Sequence, residues 1–326
     1  MKMLVQRRFA MLASLAICTF SWSALGAPSG AEPLVVAHTA TVAASAGYEC
    51  APSASLVTAK PGVQGTIAVH LGGFVVTYRG KEAHMATGLF AYPGAVTVTG
   101  ATRTWPLPQP ANPRDQYFQL GTLCAIQFIA RTPPDVLAEG YWGGAHCCYG
   151  PTLYRYSGGA YRVLEDLTKP GVGKGLHWNP NSGFEPKKVG GTVVLESSDG
   201  AFPYTFGCYA CTPAPTRLFV AGSTGLVDVT GRYPAQILSE ASAAWASANQ
   251  SMRSSAGSGQ VEGPLAEWAA DKCQLNEGAQ MWRTLAQLQA EGKLAAAEEQ
   301  SLNNKEPFPA QLKTFLLGHG YCHGQL

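Results

Sequence analysis

The densest group of reactive side chains in this sequence is Gly143-Gly144-Ala145-His146-Cys147-Cys148, flanked by Tyr141, Trp142 and Tyr149. A second group, Cys208-Tyr209-Ala210-Cys211, follows sixty residues on. An imidazole beside two thiols suggests three kinds of chemistry. As a base, His146 would activate a thiol nucleophile. Neighbours on an extended chain point to opposite faces, however, so the adjacent sulfur is out of its reach. As a metal set, His146, Cys147, Cys148, Cys208 and Cys211 supply the ligand types of a tetrahedral zinc site. The first cysteine pair lacks a C-x-x-C spacing, and adjacent ligands close poorly on one ion. The remaining reading is structural disulfides. Adjacent Cα atoms lie about 3.8 Å apart, short of the roughly 4.4–6.8 Å that a disulfide prefers. Cross-linking of the two groups is therefore easier than a Cys147–Cys148 bond. A redox-active Cys208-x-x-Cys211 would sit at a helix N-terminus, and Thr212-Pro213-Ala214-Pro215 follows instead.

Other enzyme signals are weak or missing. Ala221-Gly222-Ser223-Thr224-Gly225 is a loose match to a nucleophile elbow, but it joins two strand-like runs and reads as a hairpin turn. There is no phosphate loop, dinucleotide fingerprint or His-Glu-x-x-His. Glu165-Asp166 reads as a solvated pair at a hairpin end. Tyr154, Tyr156 and Tyr161 alternate in strands, the pattern of cross-strand packing. Trp142, His146 and Tyr149 are the candidate binding residues, and His146 is the one catalytic candidate. The sequence predicts no bound metal or cofactor.

The compartment follows from the first residues. Lys2, Arg7 and Arg8 precede a short apolar run from Phe9 to Trp22, and Ala24-Leu25-Gly26 offers small residues for cleavage before Ala27. The apolar run is polar-interrupted and shorter than the roughly 20 residues of a membrane span. Residues 1–26 are thus expected to be a signal peptide, and the protein periplasmic or extracellular. They carry three of the 23 basic residues and none of the 21 acidic ones, leaving 20 against 21 in the remainder. A near-neutral chain without a Lys/Arg run argues against nucleic acid as a partner. No later stretch is apolar enough to span a bilayer.

Of nine cysteines, Cys18 lies in the leader, and the other eight suggest disulfides in an exported chain. Beyond the two central groups, Cys50 with Cys124 and Cys273 with Cys322 are the natural pairs.

The elements that must position these groups are mainly β. Charged residues make up 13% of the chain, about half the usual 25%, while 37 Gly and 22 Pro supply turns. Strand-sized runs at Phe74–Tyr78, Val96–Thr99, Tyr117–Leu120 and Cys124–Ile129 recur with turn signals between them. Val136–Ala138 leads into the motif, and Thr152–Tyr156, Gly158-Gly159 and Ala160–Leu164 make the clearest hairpin. Thr192–Leu195, Tyr204–Phe206, Arg217–Val220 and Leu226–Val229 continue the series. Trp105-Pro106-Leu107-Pro108-Gln109-Pro110 is too Pro-rich for a central strand and marks a loop or a boundary near 106–115. After Arg232 the chain becomes Ala-rich, and Leu265, Trp268, Ala269 and Trp282, Leu285, Leu288 recur at helical spacing. The expected organisation is a disulfide-stapled β body over 27–231, propeller-like or sandwich, and a helical domain over 232–326.

Val136 to Tyr156 resembles a group of uncharacterised exported bacterial proteins that carry G-G-A-H-C-C between two strands. The match covers Gly143–Cys148 and the strand Leu153–Tyr156, with looser similarity through Phe202–Phe206 to Asp228–Thr230. In that group the motif often follows an Asp-rich loop similar to FG-GAP or VCBS repeats, the calcium-bearing units of β-propellers. Here the corresponding loop is Ala130-Arg131-Thr132-Pro133-Pro134-Asp135, with Asp135 as its one carboxylate, too few oxygens for calcium. The resemblance implies a propeller-like or sandwich β body and no particular activity. The expected function is binding of a protein or cell-envelope component. The alternative is a secreted hydrolase with dispersed catalytic residues that include His146.

Overall fold

The computed structural model describes residues 47–52, 64–85, 88–91, 95–108, 119–129, 132–141, 149–167, 175–207, 212–253, 261–294, 306–322 and 324. The signal-peptide expectation, the motif residues Trp142, His146, Cys147 and Cys148, and Cys208 and Cys211 lie outside them.

The fold is mainly β with a small helical region at its C-terminal end. Three antiparallel sheets carry it, and none closes into a barrel. The first is ordered β1-β7-β8-β9-β10 (Tyr48–Pro52, Gln119–Ile126, Asp135–Tyr141, Tyr149–Ser157, Ala160–Asp166). The second is β2-β3-β5-β6 (Gln64–Leu71, Phe74–Met85, Ala95–Thr99, Thr104–Pro106), with β4 (Gly88–Ala91) paired to β3. The third is the meander β11-β12-β13-β14 (Glu185–Val189, Thr192–Ser198, Thr216–Ala221, Leu226–Asp228). Helices α1 (Pro234–Arg253), α2 (Glu262–Gln274), α3 (Gly278–Ala290) and α4 (Phe308–Gly318) follow.

Side chains alternate across a strand, and in the first sheet both faces are buried. Leu123, Ala125, Val136, Ala138 and Tyr154 join Ile67, Val76 and Val98 of the second sheet in one core. Their neighbours Cys124, Ile126, Leu137 and Leu153 join Val193, Leu195 and Phe219 of the third sheet in another. The first sheet is therefore the shared layer, which explains its near-continuous apolar runs. The Thr152–Leu164 hairpin forms with Ser157 opposite Ala160. Its turn residues Gly158 and Gly159 both have positive φ, +61° and +89°, the backbone that a two-residue hairpin needs and that glycine adopts without strain. Among the described residues the Pro-rich stretch contributes β6, a three-residue edge strand, as its prolines require.

Among the described residues two disulfides tie the fold. Cys50 and Cys124 are directly opposite on β1 and β7, and Cys273 of α2 is bonded to Cys322 beyond α4. Both are the pairs expected from the sequence.

Two expectations are corrected. Tyr204–Phe206 is not a strand. It lies in a run of turns in which Phe202 and Phe206 drop into the helical core. Glu165-Asp166 is not a solvated pair either. Asp166 is buried, and Glu165 accepts a hydrogen bond from the Leu226 amide at 3.1 Å, joining the edge of the first sheet to β14. The turn between β13 and β14 is held from the same side: Arg155 donates to the carbonyls of Ala221 and Gly222 while pairing with Asp135 (Nη2–Oδ2 2.7 Å). Asp135, the last residue of the would-be calcium loop, is thus committed to an ion pair.

Candidate functional site

The described residues bring together a polar cluster that no motif announces. Its centre is Asp199, which follows β12 and has no solvent exposure. The turn there is built by the aspartate itself, whose Oδ1 accepts the Ala201 amide at 2.9 Å, the local bond that makes Asp a turn residue. Its backbone amide donates to the Pro215 carbonyl at 2.9 Å, fastening the turn to the start of β13. Oδ2 accepts from the Tyr321 hydroxyl at 2.7 Å and from Arg217 Nη2 at 3.2 Å. His177 Nδ1 stands 3.6 Å from the same oxygen.

Arg217 enters from β13. It reaches Asp228 of β14 through Nη1 at 3.2 Å and lies over the Tyr321 ring, 4.7 Å from its centroid. Burial works against its charge, but Tyr321, Asp199 and Asp228 outweigh it and hold the guanidinium protonated. Burial raises the Tyr321 hydroxyl well above its ordinary range, so it stays a donor. Tyr321 comes from the segment after α4, next to the Cys273–Cys322 bond. One buried carboxylate thus ties the 175–184 segment, the turn after β12, β13 and the C-terminal segment.

The 175–184 segment is pressed close to this centre. Asn179 is buried, donates its backbone amide to the Ser197 hydroxyl at 3.1 Å and its side-chain amide to the Ser198 hydroxyl at 2.9 Å. Gly200 faces this segment so tightly that a Cβ would fall 2.7 Å from the Trp178 carbonyl oxygen. Because the obstacle is backbone, Gly200→Ala is expected to cost about 1–3 kcal/mol through overpacking. Chemical unfolding should read this as a lower urea midpoint at unchanged slope. An unchanged midpoint would mean that the segment gives way freely.

His177 has φ +54°, a left-handed backbone uncommon for any residue but glycine. Burial pushes its pKa below the ordinary 6.5, against the pull of Asp199. Across from it is His319 at the end of α4, with ring centroids 6.1 Å apart. Below the cluster, α2 presents Asp271, 1% exposed, whose pKa is pushed up to about 9 by burial and then by Glu267 and Glu240. Elsewhere, Glu139 of β8 is buried beside the motif end of its strand. It accepts the Phe184 amide at 2.7 Å, and burial pushes it up to about 7. Gly183 (φ +67°) leaves the room that this carboxylate fills.

Of the sequence candidates, β8 ends at Tyr141 and β9 begins at Tyr149, whose backbones pair. Trp142, His146, Cys147, Cys148, Cys208 and Cys211 fall in undescribed residues. Asp199, Arg217, Tyr321 and His177 were missed. The available signals were an Asp199-Gly200 turn, an arginine immediately before the apolar run Leu218-Phe219-Val220, and a tyrosine against a disulfide cysteine. Among the described residues no three His, Cys, Asp or Glu side chains form a metal-holding group.

Fold and cluster define a β-rich, disulfide-tied protein whose C-terminal helices are fastened to its third sheet by a buried ionic centre. Within it, residues 238–320 match the family described as the sll0997 C-terminal domain, which spans most of α1 through α4 and stops one residue before Tyr321. Over 96 residues, 29% of this chain, the sequence is 28% identical to the Uncharacterized protein y4bJ of Sinorhizobium fredii (strain NBRC 101917 / NGR234). The chain spans 14% of that relative's length. No solved structure matches.

Proposed function

We propose that this is an exported, non-enzymatic binding module that engages a protein or other component of the cell envelope. The carrying observation is the commitment of the buried ionic groups. Asp199, Arg217 and Tyr321 join the third sheet to the C-terminal segment, and Asp135 with Arg155 joins the first sheet to the third. A carboxylate already accepting three hydrogen bonds has little freedom to move protons. Two disulfides fit an oxidising compartment, and no described helix is long and apolar enough to cross a membrane. On this reading the propeller-like or sandwich body is a rigid platform, and Trp142, His146 and Tyr149 are the proposed contact residues.

The test has two arms on protein recovered from the exported fraction. Co-sedimentation with purified cell-envelope fragments should be saturable and weakened at least several-fold by Trp142→Ala or Tyr149→Ala. Incubation with chromogenic ester, peptide and glycoside substrates should give no turnover. Turnover that disappears in His146→Ala would replace binding with the secreted-hydrolase reading.

A further inference from the structure

We propose that the Cys50–Cys124 disulfide is a thiol–disulfide exchange site, opened at the Cys50 sulfur by a dithiol oxidoreductase so that strand β1 is released. The inference is independent of the binding-module reading. The two disulfides among the described residues are placed differently. Cys273 and Cys322 are 3% and 2% exposed in the helical core, away from any incoming thiol. Cys124 is fully buried as well, but its partner Cys50 is exposed on an edge strand of the first sheet. Exchange requires a thiolate to reach one sulfur of the bond, and the open side is that of Cys50.

Apart from this bond, β1 is held weakly. None of its five residues is buried. Tyr48 and Ala51 pack only partly against the cores on the two faces of the sheet. Pro52 has no amide to give to β7. Docking also leaves Glu49 Oε1 buried with no hydrogen-bond partner among the described residues, a cost that release into water removes. What remains is the backbone pairing, from Tyr48 opposite Ile126 to Pro52 opposite Thr122, and the Gln127 amide donated to the Gly47 carbonyl at 2.6 Å. A short edge strand with so little burial is at the low end of local stability, so the disulfide decides whether it stays. In the exchange, a thiolate of the reductant bonds to the Cys50 sulfur while the Cys50–Cys124 bond breaks. The electron pair leaves on the Cys124 sulfur, which takes up a proton. The reductant's second thiolate then attacks its own sulfur in the mixed disulfide, and Cys50 leaves and is protonated. Two electrons and two protons pass to the protein, and the dithiol becomes a disulfide. An oxidising compartment keeps the bond closed by default, so opening depends on a dedicated dithiol donor.

The experiment uses the full-length oxidised protein with reduced thioredoxin as the dithiol probe. A second thioredoxin, lacking its resolving cysteine, traps the mixed disulfide. Iodoacetamide labelling with peptide mapping follows each cysteine separately. Cys50 and Cys124 should be labelled at least tenfold faster than Cys273 and Cys322, and the trapped adduct should be on Cys50. The protected amides of Tyr48–Ala51 should then exchange hydrogen at least tenfold faster, with α2 and α4 unchanged. Cys50→Ser combined with Cys124→Ser should show the same fast exchange without any dithiol; if that variant does not fold, the reduced native protein supplies the readout. Equal labelling of the two disulfides, an adduct on Cys124, or a β1 that stays protected after reduction would overturn the proposal.

Discussion

Arg217→Met is expected to destabilise the protein by about 3–5 kcal/mol, the usual cost of removing one partner from a buried ion pair. Methionine keeps most of the volume and the packing against the Tyr321 ring, so the loss is electrostatic. Asp199, with no exposure, keeps the Ala201 amide and the Tyr321 hydroxyl but loses its cation. Asp228, partly exposed, turns to water. Urea unfolding followed by circular dichroism measures the change. The cause is separable from packing by a double-mutant cycle. Asp199→Asn alone should also destabilise, because Arg217 then keeps only the partly exposed Asp228 as a counter-charge. Asp199→Asn with Arg217→Met should recover at least 1–2 kcal/mol of the summed losses, since no buried charge remains. Strict additivity would mean that the 3.2 Å contact carries no coupling energy. A total loss below about 1 kcal/mol would mean that water reaches Asp199.

The same residues show how far the sequence can be read. A strand with one buried face, such as Val96–Thr99, is visible because alternation records burial. The helices are visible from Leu265, Trp268 and Ala269, whose spacing is set by one helix. Cys50–Cys124 and Cys273–Cys322 are legible from compartment and order alone. In contrast, β11 is hidden because Glu185-Pro186-Lys187-Lys188-Val189 is an edge strand, and edge strands carry charge and proline to discourage further pairing. Phe202 and Phe206 look like alternate residues of a strand but anchor a turn to a helical core formed a hundred residues later. The Asp199 cluster is hidden for a related reason. Residues 177, 199, 217 and 321 share no local period, and their meeting is decided only when the third sheet and α4 are both in place.

No motif in the sequence marks the place where the described residues bury their charges. A sequence motif concentrates groups along the chain, whereas burial shifts protonation by bringing distant groups together. Asp199 and Arg217 illustrate the outcome when opposite charges meet. Asp271 illustrates the outcome when a carboxylate is buried and the charges added nearby are like ones, and it gives the second large effect.

Asp271→Asn is expected to remove a pH dependence that the native protein carries into the alkaline range. Asp271 Oδ2 is buried without a partner and Oδ1 has only the Gln274 amide at 3.4 Å, while Glu267 and Glu240 add negative charge nearby. The native protein holds a proton here up to about pH 9, whereas the unfolded chain releases it near 3.8. The native state binds more protons throughout that window, so its stability falls as pH rises from about 4 to about 9. Each pH unit inside the window is worth about 1.4 kcal/mol. Glu139, Glu262 and Glu267 shift in the same direction but only to about 7, and His177 acts below its ordinary 6.5. Between pH 7.5 and 8.5 the slope belongs chiefly to Asp271. Urea unfolding at these two values should show the native protein losing on the order of 1 kcal/mol more than Asp271→Asn, whose amide is the neutral isostere of the protonated acid. At pH 5, where the proton costs little, the two proteins should be closest in stability. Parallel slopes above pH 7.5 would show that Asp271 is ionised in the folded protein and that water or a cation reaches its free oxygen.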